Sequence, residues 1–341
     1  MSEYNINQQW TLLERAKRSP DGKRAMPALD VMDKIGVDSF LKDVPFFPAN
    51  QGLKHQITRT TSRPSSTIRN MYAGVKKTST ATQVIHEPVC LFEQRSEVDE
   101  AHIDTLENGD EARAMIDKPH AAGILDDFVY EMFRGVRSSG EEHIDGFLGR
   151  LNTLSYPGHT TTTVPYVWNN GGSTTLSSLY IVEYGPQAVH GLYPGAGAVR
   201  GGGPFGMSII NKGKERLDDP TDSTKKYYGY VTQFCFYFGL AVWNDWKIAR
   251  IANISIDETS AYALNDNLVI KALNHGKFNK AATRIYANPY LTTQIDIRAK
   301  DKGNTIWDTS EVFGKEISQI QGIPLRKLDE SILSANETAV A

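Results

Sequence analysis

Residues 121–134 read AAGILDDFVYEMFR, and this stretch carries the clearest structural signal in the 341-residue chain. Apolar side chains recur in it at positions i, i+3, i+4, i+7 and i+8, a spacing that places them on one stripe of a helix. The stripe consists of Leu125, Phe128, Val129, Met132 and Phe133. We therefore predict an amphipathic helix over residues 121–134. An earlier helical piece over residues 111–118 is also indicated, with a break or kink at Pro119.

Upstream of this helix, residues 46–90 are rich in Thr and Ser and poor in apolar residues, and Pro64 interrupts the middle. The runs 56–61 and 78–85 contain β-branched residues without a helical period, which is typical of strands. These features predict a long, exposed two-stranded hairpin. Such a hairpin is marginally stable alone, so we expect it to lie on another surface.

The hairpin region and the segment after it carry opposite charge. Residues 46–90 contain a single acid, Glu87, and six basic residues, namely Lys54, Arg59, Arg63, Arg69, Lys76 and Lys77. Residues 91–145 contain fifteen acids and five basic residues. The two segments are either an electrostatic pair or two separately solvated faces, and the sequence leaves both alternatives open.

The remaining segments indicate a mixed α+β chain without an internal repeat. Residues 1–45 predict an arm with a short helix over 30–41. The other expectations are a strand at 176–184, a loop at 193–204, strands within 229–254, a helix within 261–276 ended by Gly276, and closing strands and turns at 284–298 and 322–333.

Bulk composition is ordinary for a folded protein, with 23% charged and 10% aromatic residues and a net charge of −3. This charge predicts no general affinity for nucleic acid. The two cysteines, Cys90 and Cys235, lie in apolar segments, so we expect buried free thiols and neither a disulfide framework nor a zinc site. No apolar run is long enough to cross a bilayer, and no signal peptide is expected.

Motifs that would indicate catalysis are missing from the sequence. There is no GxxxxGK[ST], and Arg200 occupies the place where a dinucleotide fingerprint needs its last glycine. Residues 223–226 match SxxK only within a polar loop. The nearest approach to a metal cluster is His102 beside Glu97, Asp99 and Glu100, where a solvated acidic face is the favoured interpretation. We therefore predict no catalytic, cofactor-binding or metal-binding residues.

Short motifs in a fixed order resemble a known family. They are residues 11–18 and 20–23, Asn50, His55, 58–60, 69–75, 96–99, 183–185, 190–194, 238–240, 245–246, 250–254, 322–326 and Asp329. This order resembles the major capsid proteins of short-tailed phages of the epsilon-fifteen and Bordetella-phage kind, which have the Hong Kong phage capsid fold. The family's usual Phe-Tyr-Gly turn is replaced by Phe133-Arg134-Gly135, and the loop 153–174 is unusual for the family.

The resemblance implies an N-terminal arm (1–45), an extended loop (46–90), a peripheral domain with a spine helix (91–160), an axial domain (161–283) and a return to the peripheral domain (284–341). It implies a structural protein that self-assembles, as hexamers and pentamers, into the icosahedral shell around a double-stranded DNA genome. Assembly in the host bacterial cytoplasm is expected. Expected partners are a portal protein, scaffolding and cement proteins, and packaged DNA held by weak non-specific contact, with no membrane and no cofactor.

An arm and a hairpin without partners in their own chain fit a subunit that covers its neighbours. We therefore expect contacts between subunits at Arg59, Arg63, Arg69, Lys76 and Lys77 on one side and at Glu97, Asp99 and Glu100 on the other. An encapsulin-like compartment shell is the main alternative. An enzyme of unrecognised class and a sheet-rich adhesin or tail component are less favoured.

Overall fold

The computed structural model describes residues 34–137, 143–154, 166–195, 207–219, 222, 224–276, 278–302 and 319–340. The chain divides into two compact units. The small unit contains the described residues of Leu91–Phe128 and Arg200–Tyr237, and the large unit contains those of Lys34–Cys90, Val129–Val199 and Phe238–Ala341.

Twelve strands and six α-helices are named in the described residues. The strands are β1 (Phe46–Pro48), β2 (Lys54–Ser62), β3 (Ala81–Asp99), β4 (Tyr166–Asn169), β5 (Leu176–Glu183), β6 (Val189–Tyr193), β7 (Met207–Asp218), β8 (Lys226–Val242), β9 (Ile248–Ser255), β10 (Thr283–Ala287), β11 (Gln319–Ile320) and β12 (Ile323–Lys327). The helices are α1 (Val37–Asp43), α2 (Glu100–Asp104), α3 (Gly109–Arg134), α4 (Phe147–Arg150), α5 (Asp266–His275) and α6 (Pro289–Lys302). The α+β class is confirmed.

The core of the large unit lies around a mixed sheet with the strand order β11-β12-β10-β5-β9-β4. Every residue of the adjacent strands β5 and β9 is buried, as is expected for strands that are covered on both faces. Helices α5 and α6 contribute Val269, Leu273, Leu291 and Ile295 to the same apolar cluster. Burial on both faces explains why neither strand alternates strictly between apolar and polar residues.

A second sheet has the strand order β1-β6-β8-β3-β2. Strands β2 and β3 pair antiparallel from Lys54 opposite Pro88 to Ser62 opposite Ala81, which confirms the predicted hairpin. Gly239 of β8 lies so close to β3 that a Cβ there would be 2.5 Å from the carbonyl oxygen of Pro88. A glycine is required at this position because the two backbones leave no space for a side chain.

In the small unit, β7 pairs antiparallel with β8 from Met207 opposite Phe236 to Asp218 opposite Lys226. Helices α2 and α3 bury an apolar cluster with this sheet. The cluster contains Val98, Ile103, Leu106, Ala112 and Ile116, with Tyr230 packed against it.

Helix α3 contains the predicted amphipathic segment but is longer than the sequence indicated. Phe128, Val129, Met132 and Phe133 are fully buried as predicted, whereas Leu125 is only half-buried. Of the predicted break or kink at Pro119, the break is wrong, because the helix continues through this residue. Buried side chains on both sides of the proline offset the backbone hydrogen bond that it cannot make.

The C-terminal part differs most from the prediction of closing strands at 284–298. Strand β10 ends at Ala287, and helix α6 begins at Pro289. Asn288 explains the change, because its side chain accepts a hydrogen bond from the Leu291 amide at 2.9 Å and so caps the helix. Proline at the first helical position favours the same start.

Helices α5 and α1 have boundaries that differ from the predicted ones. Helix α5 begins at Asp266, after the capping residue Asn265, and ends before Gly276 as predicted. Helix α1 begins after Gly36, whose φ is +88°, so the predicted helix at 30–41 starts later and extends further. The part of that prediction before residue 34, most of the predicted arm, and residues 155–165 and 196–206 of the predicted loops lie outside the described residues.

Candidate functional site

The turn region of the hairpin, residues 63–80 and called the hairpin tip below, presents apolar side chains to solvent. Ile68 is 100% exposed, Met71 89%, Tyr72 103% and Val75 57%. The tip is a local turn in which Ala73 donates a backbone hydrogen bond to Asn70 (3.2 Å) and Arg69 donates to the Ala73 carbonyl (2.9 Å). Clustered exposed apolar residues of this kind mark an interaction surface.

The basic residues of the hairpin tip are also exposed. Arg63, Arg69, Lys76 and Lys77 all lie in this segment, which contains no acid. Within the described residues, none of the four is in an ion pair. Their charge is therefore available to an acidic partner.

Arg59 has a different environment from the other predicted contact residues. It lies in the hairpin root, which we define as residues 55–59 of β2 and the paired residues 83–87 of β3. Its guanidinium donates to the Asp245 carboxylate at 2.8 Å and to the Val242 carbonyl. Arg59 thus has an acidic partner in its own chain, which the sequence did not indicate.

Glu87, the single acid of the hairpin, is 3% exposed and forms an ion pair with Arg150 of α4 at 2.6 Å. The hairpin root is therefore held to the rest of the large unit by two ion pairs, at Arg59 and at Glu87. The two ion pairs fix the position of the hairpin root. The hairpin tip, by contrast, is not covered by any other described part of the chain.

The predicted acidic contact residues lie in the small unit, and each has a partner there. Glu97 pairs with Arg95 at 2.7 Å, the Asp99 carboxylate accepts the Ala101 amide at 2.8 Å and caps α2, and Glu100 pairs with Lys214 at 2.6 Å. Side chains in these pairs are about two-fifths exposed, so they remain accessible to a second charged partner.

Next to these acids, the expectation of a wholly solvated face is wrong for His102, which is buried with its neighbour Ile103 on the inner side of α2. Cys90 is buried as expected, whereas Cys235 is only partly buried, and the two do not form a disulfide.

The described residues contain no group of three or more His, Cys, Asp or Glu side chains placed to hold a metal ion. A pocket of about 380 Å³ in the large unit is lined by Arg134, Asn152, Arg250 and Glu337, among others. Arg250 already donates to Ser178, to the Leu151 carbonyl and to Glu337 there, so its donors serve the fold. No helix in the described part of the chain is long and apolar enough to cross a membrane.

A family model for the major capsid protein GP7 matches residues 21–341. The chain belongs to this family. Its fold is similar to that of a chain in a near-atomic-resolution structure of bacteriophage Epsilon15, with a TM-score of 0.73 and 20% identity over 100% of this chain and 99% of that chain. No curated protein matches the sequence.

Two further likenesses are weaker. A chain of the bacteriophage JBD30 capsid is 12% identical over 95% of each chain, with a TM-score of 0.46. A chain of the SrpI encapsulin complex from Synechococcus elongatus PCC 7942 is 12% identical over 76% of this chain and 99% of that chain, with a TM-score of 0.43.

The family match confirms the resemblance drawn from the sequence motifs. The protein is a major capsid protein of a tailed-phage shell with the Hong Kong phage capsid fold, and its role is structural. It assembles with copies of itself and is located in the virion. The family match favours this function over an encapsulin-like shell.

Proposed function

We propose that the capsid protein forms an icosahedral head around double-stranded DNA, as hexamers and pentamers, and that the hairpin tip docks on an adjacent subunit. The observation that carries the docking is the exposed apolar cluster of the hairpin tip, at Ile68, Met71, Tyr72 and Val75. Burying one such side chain contributes roughly 1.5–3 kcal/mol. Four of them supply enough free energy to hold a hairpin that is marginal in isolation.

Complementary charge orients the hairpin tip on the neighbouring subunit. The four basic residues of the tip face no acid in their own segment, and the acids of residues 93–131, which include Glu97, Asp99 and Glu100, are the complementary surface on a neighbouring subunit. An exposed ion pair contributes only about 0–1 kcal/mol. The charges therefore act mainly on the rate and orientation of association.

Further partners follow from the role as a shell. We propose a portal protein, scaffolding and cement proteins, and assembly in the bacterial cytoplasm. With a net charge of −3, contact with packaged DNA is weak and non-specific, because few phosphates are neutralised.

Two variants separate the apolar and the ionic parts of the docking. Met71→Ser with Tyr72→Ser removes apolar surface, and Arg63→Glu with Arg69→Glu, Lys76→Glu and Lys77→Glu reverses the charge of the tip. Lys271→Glu, at an exposed position of α5, is the matched control. Each protein is expressed alone and with its neighbouring genes, and closed shells are counted by negative-stain electron microscopy and sedimentation.

We expect the serine variant to remain folded by circular dichroism but to form few closed shells. The charge-reversed protein should assemble slowly, and the wild-type rate should fall as salt is added. The control should assemble normally. Normal shell yield and rate from both tip variants would exclude docking by the hairpin tip, and discrete small oligomers from the wild type under all conditions would refute self-assembly.

A further inference from the structure

Two buried histidines from different strands meet beside the hairpin root. His55 of β2 is 7% exposed and His190 of β6 is 2% exposed. Their ring centroids are 5.7 Å apart with the rings almost perpendicular. Trp243 packs on His55 and Phe47 packs on His190, with centroid distances of 5.7 and 5.0 Å. Aromatic rings thus flank both members of the pair.

The hydrogen bonding of the pair is incomplete. His190 donates from Nδ1 to the Gly185 carbonyl at 3.2 Å. Neither ring nitrogen of His55 has a hydrogen-bond partner among the described residues, and the same holds for the indole nitrogen of Trp243. A buried polar group without a partner is costly even when it is neutral, and a charge at the same place costs more.

Charged groups near the pair leave little compensation for an added proton. Glu87 lies opposite His55 on β3, and Asp245 lies beside the hairpin root, where it contacts Arg59. Glu87 is already bound to Arg150 and Asp245 to Arg59. Each anion is therefore offset by a guanidinium, and protonation of both histidines would place two more positive charges in the same enclosed space.

We propose that the His55–His190 pair is an acid-sensitive latch, which holds the hairpin root against the sheet at neutral pH and releases it in acid. Its effect on the shell rests on the proposed docking of the hairpin tip. The device belongs to the subunit, because all the groups named lie in the large unit. Opening the root would expose His55 and His190 to water, where both can accept a proton.

The direction of the pH dependence follows from the number of protons that the closed and the open form bind. Burial lowers the pKa of His190 to about 4, with the Gly185 carbonyl opposing the change and His55 adding to it. Burial also lowers the pKa of His55, partly offset by the Glu87 carboxylate. Because the closed form binds fewer protons than the open form, its stability is complete above pH 6.5. That stability is lost as the pH falls from 6.5 toward 4.

Hydrogen exchange of assembled shells tests the latch at the Val89 amide, which donates to the Leu53 carbonyl (2.9 Å) directly beside the hairpin root. Protection factors are compared at pH 7.5 and pH 4.5 after correction for intrinsic exchange. With a pKa of about 4 in the closed form and 6.5 in the open form, His190 alone predicts that protection falls about 70-fold between these conditions. His55→Phe keeps an aromatic ring and removes nitrogens that have no partner, and His190→Asn keeps a donor for Gly185. His190→Asn should lose most of the acid response, and His55→Phe should lose the part that His55 contributes.

His86→Gln is the matched control, because His86 is an exposed histidine of the same hairpin and its removal should leave the response unchanged. Equal wild-type protection at both pH values, or an undiminished acid response in both His55→Phe and His190→Asn, would overturn the latch. Light scattering of the same samples follows the shells. Loss of Val89 protection while the shells stay intact would support the latch and count against docking of the hairpin tip.

Discussion

The most informative single change is Glu337→Ala, because it removes the carboxylate partner of a buried arginine. Arg250 of β9 is 1% exposed. Its guanidinium donates to the Ser178 hydroxyl (2.9 Å), the Leu151 carbonyl (2.7 Å) and the Glu337 carboxylate (2.8 Å). Glu337 also accepts the Ser178 hydroxyl at 2.5 Å. The substitution leaves a buried positive charge without its counter-ion and a serine without its acceptor.

The magnitude follows from burial. Breaking a buried ion pair from one side costs about 3–5 kcal/mol. The Glu337 side chain retains 10% exposure, so water reaches part of the site and about 3 kcal/mol is the better expectation. At 2–4 °C per kcal/mol for a domain of ordinary size, the melting temperature should fall by roughly 6–12 °C.

Differential scanning calorimetry of purified shells measures this fall. Glu330→Ala is the matched control, because Glu330 is an exposed acid of the same C-terminal segment. The double variant Arg250→Met with Glu337→Leu removes both charges and should recover most of the loss, since apolar replacement of a buried pair is often neutral. A fall of less than about 2 °C for Glu337→Ala would refute the assignment of a largely buried, counter-ion-dependent site.

Three further changes test the packing of the large unit. Phe133→Ala empties a site surrounded by four aromatic rings with centroids 5.2–5.6 Å away. The free energy of unfolding obtained by calorimetry should therefore fall by about 3–5 kcal/mol. Gly239→Ala forces a Cβ to 2.5 Å from the Pro88 carbonyl oxygen, and the yield of soluble protein should drop sharply, whereas Gly74→Ala, in open space, should not change it. Asp43→Asn weakens ion pairs with two arginines at 3.0 and 2.7 Å. The free energy of unfolding measured by urea titration should therefore fall by about 1–3 kcal/mol.

Local patterns in the sequence predicted the elements whose signals are themselves local. The apolar stripe ending in Phe133 predicted the core of α3, and the β-branched runs predicted the hairpin. Pro119 did not end the helix, because the side chains buried on both sides of it offset the cost of the proline. Helix α6 was missed although Asn288 and Pro289 form an ordinary cap, since the apolar residues that follow were interpreted as a strand.

The contacts of the hairpin root could not be predicted in the same way. Arg59 and Asp245 are 186 positions apart in the chain, and no local period connects them. His55 and His190 likewise meet only because β2 and β6 belong to one folded unit. From the sequence, Arg59 was predicted to pair with an acidic residue. The sequence did not distinguish an acid in the same chain from one in a neighbour.

Ionic groups of the large unit divide into two kinds, and this division separates folding from assembly. Arg250, Asp43 and Arg150 are largely buried and are paired within the subunit. They contribute to the fold and offer nothing to a partner. The charges of the hairpin tip are exposed beside four exposed apolar side chains. Because a solvated ion pair contributes about 0–1 kcal/mol and a buried apolar side chain roughly 1.5–3 kcal/mol, the proposed docking would draw most of its energy from apolar contact, and charge would select the surface on which that contact is made.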